Sequence, residues 1–487
     1  MADPIRIEVE SQDKMPSTTE WKMTGGPPLP ILVPATVYPP REDSELLDIA
    51  LANLGEGNGR KFLEIGCGSG VISIAAAKRG WDVSACDINP FAVAATKGNA
   101  TRNNAQVSTI EGGLTSELVF TNSATIESQG PFDVIVWNLP YLSPVNLDEP
   151  RLGPFEDAGL VDTPENNGWG VALLNHLEQN QKLLSPGGSI YLVHTNNERG
   201  NLLQSRWRKY GWATRIAGEL RFNDGERITC FCAWKPFSHK SIEWHNKLDS
   251  TNLFLFENER DVGTLIACKN QKKGRGQRER EWIQQPGDFA GSWLLDPNLI
   301  AEGVGKIQLF AGIAVIDTIC SLARLPLASN HWTNCNPIGN NSISMKWPND
   351  VLFNGKKLAG CLMEGRQTGD KQKVVLGIGV NLTPLNSDTI PSAGLSEIIH
   401  DVDLDEFSNN LNGSISSFFE EGELLPKRQD YDQVSWALLG NFLDQGISLQ
   451  NEKEKLRVTK ITHTGELICT NEMSDKIIAE SYGNAWN

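Results

Sequence analysis

The sequence predicts an α/β domain of Rossmann-like type, followed by an α+β domain and a strand-rich C-terminal unit. Three stretches predict it. Lys61 to Ile65 reads as a strand and runs into Gly66-Cys67-Gly68-Ser69-Gly70; a helix from Val71 to Arg79 and a second strand, Trp81 to Cys86, ending in Asp87, follow. Val351-Leu352-Phe353 is a short apolar strand closed by Asn354-Gly355, a strong two-residue hairpin signal. From Asp430 onward, strand-like runs recur at Gly446 to Leu449, Lys455 to Thr462, Glu466 to Thr470 and Lys476 to Glu480, with Gly465 marking a hairpin. A chain of 487 residues has room for roughly two to four domains.

Composition narrows the class. Hydrophobic residues make up 39% and charged residues 21%, ordinary for a globular protein. No run approaches membrane-spanning length, and the N-terminus has no basic-then-apolar leader, so a cytoplasmic location and no membrane partner are expected. Nine cysteines without a C-x-x-C pair argue against a disulfide framework and a zinc site. Net charge is −16, divided evenly about Pro236, with 20 basic against 28 acidic residues before it and 24 against 32 after it. Neither half is a basic body, so DNA is not an expected partner.

In the first half, residues 1 to about 30 are polar, and Gly25-Gly26-Pro27-Pro28 suggests a loose, draped segment. Tyr38-Pro39-Pro40-Arg41-Glu42-Asp43-Ser44 then opens a helix through Leu46 and Leu47 to Leu54, with acids in its first turn. The glycines after Ile65 let backbone approach a ligand, and Asp87 suits ribose hydroxyls. They are spaced one residue tighter than G-x-G-x-x-G and follow Glu64, which favours S-adenosylmethionine over a dinucleotide. The strand Phe132 to Trp137 ends in Asn138-Leu139-Pro140-Tyr141. Such a turn offers an amide carbonyl, a backbone carbonyl and an aromatic ring, the set needed to hold a planar nitrogen for methylation. Asp148 to Gly170 reads as a substrate-covering loop, and Arg227 to Trp234 as a late hairpin strand.

These motifs, from Val37 to Trp234, resemble the release-factor glutamine methyltransferase family, above all its eukaryotic and archaeal branch. The resemblance implies a seven-stranded methyltransferase sheet and methyl transfer from S-adenosylmethionine to a glutamine amide of a protein such as a release factor. It implies that Gly66, Cys67, Gly68, Ser69, Gly70 and Asp87 hold the cofactor with Asn138, while Asn138, Leu139, Pro140 and Tyr141 hold the acceptor, Asn138 and Tyr141 being catalytic. Leu139 replaces a family proline, and Asn-Leu-Pro-Tyr also resembles RNA adenine dimethyltransferases, so RNA remains an alternative acceptor. Gly113 stands where the family has an acid, with Glu111 nearby as a substitute. A third reading is a catalytically inactive docking or regulatory module.

In the second half, Ile242 to His245 is strand-like and Asp249-Ser250-Thr251-Asn252 opens a helix. Gln271 precedes a loop, Gly274-Arg275-Gly276-Gln277-Arg278-Glu279-Arg280-Glu281-Trp282, whose glycines and cations suit a mobile cover over an anion. A helix is expected from Gly303 to about Arg324. The hairpin Lys346 to Gly360 can bring Lys346, Asp350 and one of Lys356 and Lys357 to one pocket, the charges that a nucleotide phosphate with a bound metal needs. Lys373 to Ile378 is a strand, ending in the glycine-spaced segment Gly377 to Leu382.

Together these blocks resemble the biotin protein ligases. The resemblance covers Ile242 to Leu382 and continues more weakly to the C-terminus, where it implies a small β-barrel. It implies activation of biotin by ATP as biotinyl-5'-AMP, then transfer to a lysine of a biotin carboxyl carrier protein. By it, Ser250, Thr251 and Gln271 bond biotin, Arg275 covers the adenylate, Trp282 walls it, and Asn349 and Asn381 face the nucleotide. Asn252, Gly276, Gln277, Arg278, Arg280 and Lys346 complete the biotin and ATP set; Gln277 stands where bacterial loops often have a second arginine. Lys357 matches the lysine that touches biotin carboxylate and phosphate, and Asp350 orients either Mg2+ brought with ATP or the incoming lysine amine. The expected domains are an N-terminal extension (1–36), a methyltransferase (37–236), a ligase catalytic domain (240–428) and the barrel (429–487).

Overall fold

A computed structural model describes residues 15–114, 120–141, 161–162, 167–277, 281–331, 337–338, 341–385, 391–448, 455–471 and 476–479. The chain forms two compact units. One comprises Met1–Trp207, Thr214–Lys235 and Glu421–Lys427; the other comprises Arg208–Ala213, Pro236–Glu420 and Arg428–Asn487.

The first unit opens with an antiparallel hairpin, β1 (Ser17–Lys22) and β2 (Pro28–Val33), where the sequence suggested a loose segment. The alternation of Leu29, Ile31 and Val33 explains it: every second side chain of β2 is buried. Thr24 N donates to Asp48 Oδ2 (2.7 Å), and Asp48 pairs with Arg79 (2.7 Å) in a buried ion pair. Asn99 exchanges hydrogen bonds with the backbone of Leu32 and donates to Ser69 O (2.9 Å), tying the hairpin to the glycine turn.

Seven strands follow: β3 (Lys61–Ile65), β4 (Asp82–Asp87), β5 (Val107–Glu111), β6 (Phe132–Asn138), β7 (Leu184–Thr195), β8 (Ala213–Arg221) and β9 (Arg227–Trp234). Their order in the sheet is β5-β4-β3-β6-β7-β9-β8. β3 to β7 pair in parallel and β7 pairs antiparallel with β9. Phe62, Leu63, Ile135 and Val136 are buried, as central parallel strands covered on both faces require. The strand order reverses between β3 and β6, which opens a crevice at their carboxyl ends. The glycine turn and Asn138 both lie there.

The second unit is built on an eight-stranded sheet. Its strands are β10 (Glu243–His245), β11 (Leu265–Cys268), β14 (Phe289–Leu295), β15 (Pro337–Ile338), β16 (Asn341–Lys346), β17 (Asp350–Phe353), β18 (Lys356–Thr368) and β19 (Lys371–Val380). A separate two-residue ladder, β12 (Gly274–Arg275) with β13 (Glu281–Trp282), closes the cationic loop. The helix Val304–Leu322 is long and apolar enough to cross a membrane, contrary to the expectation that no run approaches that length. Here it is buried, its Phe310, Ile313 and Ile316 lying in one core with Met345, Val351 and Leu376.

The strand-rich end is a four-stranded antiparallel sheet, β20 (Ile447–Ser448), β21 (Lys455–Ile461), β22 (Leu467–Thr470) and β23 (Lys476–Ala479), in that order, and among the described residues no pairing joins β20 to β23 into the expected barrel. Leu456, Val458, Leu467 and Cys469 belong to the same core as the long helix.

Candidate functional site

At the switch point of the first unit, Gly66, Gly68 and Gly70 have φ values of 68°, 53° and 83°, a conformation that favours glycine. Gly68 N donates to Asp87 Oδ2 and Asn89 N to Oδ1, both at 2.9 Å. Burial raises the Asp87 pKa, opposed by these bonds. Glu64, fully buried, accepts from Ser73 N (2.8 Å) and from the Ser73 hydroxyl; burial pushes its carboxyl up to about 8. A cavity of about 220 Å³ is lined by all five residues of the glycine turn except Gly70, with Asp87, Asn138 and Pro140.

Asn138 Oδ1 is buried and has no hydrogen-bond partner among the described residues. A group that donates hydrogen bonds is what such an atom lacks. Two expected acceptor residues are not in the lining. Leu139 is buried, its N–H donating to Val193 O (3.1 Å), which ties the turn to β7. Tyr141 is held aside because its hydroxyl donates to Asp43 Oδ2 (3.1 Å). Burial, then the Asp43 charge, raises its pKa. Tyr38, Trp137 and Trp169 supply the aromatic walls instead. Glu111 is exposed and outside the lining, whereas Gly112 and Gly113 are in it; a Cβ on Gly113 would lie 3.0 Å from Ile88 Cγ2. Most of the expected covering loop is outside the described residues, but Asp162 accepts from Trp169 N (3.1 Å) and pairs with Arg199 (2.9 Å).

The second unit holds a larger cavity of about 480 Å³. Ser250, Thr251, Asn252, Gln271, Arg275, Gly276, Gln277, Trp282, Asn349, Asp350, Lys357 and Asn381 all line it. Its floor is a chain of oriented polar groups. Thr251 N donates to Gln271 Oε1 (2.8 Å), and Ser292 Oγ lies 2.6 Å from Thr251 Oγ1 and 2.5 Å from Asn252 Oδ1. The Gln271 carbonyl is thereby used, which leaves its NH2 as the donor side toward a ligand. Ser250 caps the helix Thr251–Glu257, its Oγ accepting from Leu253 N.

At the other end, Lys357 Nζ lies 2.7 Å from Asp350 Oδ1 and 5.6 Å from the centroid of the Trp282 ring. A Cβ on Gly379 would overlap that ring, so only glycine lets Trp282 lie against β19. Asn349 donates to Cys361 O (2.8 Å), and Asn381 donates to Lys357 O (3.2 Å) while its buried Oδ1 has no partner among the described residues. Lys346, the cross-strand partner of Asp350, is exposed and does not line the cavity. Arg278 and Arg280 lie outside the described residues.

Residues 240–381 match the Biotin/lipoate A/B protein ligase family, and residues 49–141 match the Ribosomal protein L11 methyltransferase (PrmA) family. Over 118 residues the chain is 38% identical to a biotin--[acetyl-CoA-carboxylase] ligase of Paracoccus denitrificans, covering 24% of this chain and 43% of that one. Over 114 residues it is 46% identical to a putative protein N5-glutamine methyltransferase of Methanocaldococcus jannaschii, covering 23% of this chain and 51% of that one. The chain is a fusion of a methyltransferase-like and a biotin protein ligase-like domain. It spans about half the length of each of these two relatives. A biotin protein ligase structure from Aquifex aeolicus, 23% identical, aligns with 51% of this chain and all of its own at a TM-score of 0.37.

The methyltransferase-like domain fits a nucleoside cofactor: a glycine cradle, an acid at the end of β4, and an unsatisfied amide oxygen face one cavity. The ligase-like domain fits an anion next to a neutral hydrogen-bonding ligand. Sequence reasoning missed Ser292 and Glu364 in it, and Tyr38, Trp137 and Trp169 in the other. Tyr38, Trp137 and Trp169 sat in stretches already singled out; Ser292 and Glu364 carry no local signal.

Proposed function

We propose that the chain is a bifunctional enzyme that biotinylates a carrier-protein lysine and methylates a planar nitrogen. The observation that carries the first activity is the Lys357–Asp350 pair at 2.7 Å, within one cavity with Arg275 and the Thr251–Gln271–Ser292 floor. The floor would hold the uncharged ring system of biotin through Thr251 and the Gln271 NH2. A biotin carboxylate oxygen attacks the α-phosphorus of ATP, the P–O bond to pyrophosphate breaks, and biotinyl-5'-AMP remains. Both reactants are anions, so Lys357 and Arg275 supply the fixed positive charge that favours their approach and stabilises the transition state. The amine of a biotin carboxyl carrier protein lysine then attacks the anhydride carbonyl, AMP leaves, and the ammonium proton is lost. Asp350 has a second oxygen without a partner among the described residues, available for Mg2+ accompanying ATP or for that amine.

In the methyltransferase-like domain, Gly66 to Gly70 and Asp87 would hold S-adenosylmethionine, which supplies the electrophilic methyl group. The orphaned Asn138 oxygen would accept an N–H of the acceptor and orient the nitrogen lone pair. A glutamine amide in a protein such as a release factor fits this donor set. An RNA adenine amino group offers the same N–H donors, and an inactive docking module is the remaining alternative. The net charge of −16 favours a protein acceptor over RNA. A cytoplasmic location suits both activities.

Incubation with ATP, biotin and a purified carrier protein should biotinylate the carrier lysine through an isolable adenylate; no adenylate refutes the ligase reading. Tritiated methyl transfer to a release factor, with RNA assayed separately, tests the other activity. Transfer to RNA alone replaces the acceptor. No transfer to either, with no calorimetric binding of S-adenosylmethionine, leaves the docking module.

A further inference from the structure

The carboxylate of Glu364 lies beside the ligase cavity without lining it, and its two oxygens are divided. Oε1 lies 3.2 Å from Arg275 Nη2, and Oε2 accepts from Asn252 Nδ2 at 2.8 Å. Arg275 belongs to β12, the first strand of the cationic loop, whereas Asn252 belongs to the floor. Asn252 has no orientational freedom left. Its carbonyl accepts from the Ser292 hydroxyl at 2.5 Å and its NH2 donates to Glu364, and turning the amide over would set its oxygen against the Glu364 carboxylate. One buried hydroxyl, one amide and one carboxylate therefore connect the floor to the loop.

We propose that Glu364 is a positioning residue that holds Arg275 over the activated intermediate and couples the loop to the floor; this rests on the ligase reading above. The side-chain exposures, 44% for Arg275 and 17% for Glu364, place this pair at the cavity edge, where a single anchor decides whether the guanidinium lies over the cavity or extends into water. The contact is monodentate because the second oxygen serves Asn252. The anchor is thus firm on the floor side and releasable on the loop side, as a cover that must admit ATP and later a carrier lysine requires.

Glu364→Gln retains the size of the side chain and removes its charge. Its NH2 must face either Arg275 or the Asn252 NH2, so at least one donor loses its acceptor. Release of biotinyl-5'-AMP from the purified full chain should accelerate about tenfold, the scale of one partly exposed charge-assisted hydrogen bond. KM for biotin should rise by a comparable factor, with kcat for adenylate formation changing much less. In an Arg275→Ala background, Glu364→Gln should no longer accelerate release but should still raise KM for biotin through Asn252. Glu364→Asp, shorter by one methylene, should restore release only in part. Fluorescence-detected melting identifies any variant that is merely unstable, since instability lowers the active fraction and leaves KM and the release rate of the folded enzyme unchanged. Wild-type adenylate formation with unchanged release and KM in Glu364→Gln overturns the proposal; no adenylate from the wild type overturns the ligase reading itself.

Discussion

Replacing Lys357 by alanine tests the ligase chemistry most directly. In the resting site the Lys357 ammonium sits 2.7 Å from Asp350 and over Trp282, about one third exposed. Its loss has two consequences. A cation that would contact both anionic reactants is gone, and the Asp350 carboxylate is left uncompensated where they must approach. Two unit charges about 4 Å apart interact by about 4 kcal/mol at an effective dielectric near 20. Partial exposure discounts this, so a loss of about 3 kcal/mol, or roughly 10²-fold, is expected in the rate of adenylate formation. The assay is single-turnover conversion of α-labelled ATP and biotin to biotinyl-5'-AMP. Adding Asp350→Asn to Lys357→Ala should recover about tenfold, because it removes the stranded carboxylate. Lys356→Ala, at an exposed neighbour, should stay within about twofold. A Lys357→Ala effect below tenfold would refute the charge argument; no recovery in the double variant would assign the Asp350 carboxylate to Mg2+ accompanying ATP.

Three further outcomes are expected. Gly379→Ala places a methyl group on the Trp282 ring and should displace it, weakening ATP binding in calorimetry with little change in the methyltransferase-like domain. Asn138→Ala removes the unsatisfied amide oxygen and should lower methyl transfer by about 10²-fold or more, with cofactor affinity changed far less, measured by tritium transfer and calorimetry. Glu64 titrates near 8 when folded against 4.5 as an ordinary carboxyl, so between these values the folded state holds a proton the unfolded state has released. Stability should fall as pH rises through that window, by at most about 1.4 kcal/mol per pH unit, and level off above it. Glu64→Gln should melt like the wild type near the lower limit and above it at the upper one.

What could be read from the sequence was what local spacing encodes. The glycine turn declares itself because three glycines at alternate positions all need positive φ, and Asp87 follows from the length of one helix and one strand. Tyr141 looked like a stacking ring because its neighbours form a compact motif. Its hydroxyl instead bonds Asp43, 98 residues away, and nothing local announces that pairing. Lys357 shows the limit more sharply. The Asn354-Gly355 turn sets Phe353 opposite Lys356 and Leu352 opposite Lys357, so a regular ladder would put Asp350 opposite Ala359. A register shift between Val351 and Leu352 instead pairs Asp350 with Gly360. Asp350 lies on the same face of β17 as Leu352, the partner of Lys357, and the shift sets its carboxylate over a residue with no side chain to block it. A Cβ on Gly360 would stand 3.3 Å from the ammonium. Lys346 lies outside the cavity although it is the direct cross-strand partner of Asp350. Lys356 and Lys357, with equal claims by spacing, face opposite sides of β18, so the choice between them is a property of the sheet rather than of the motif.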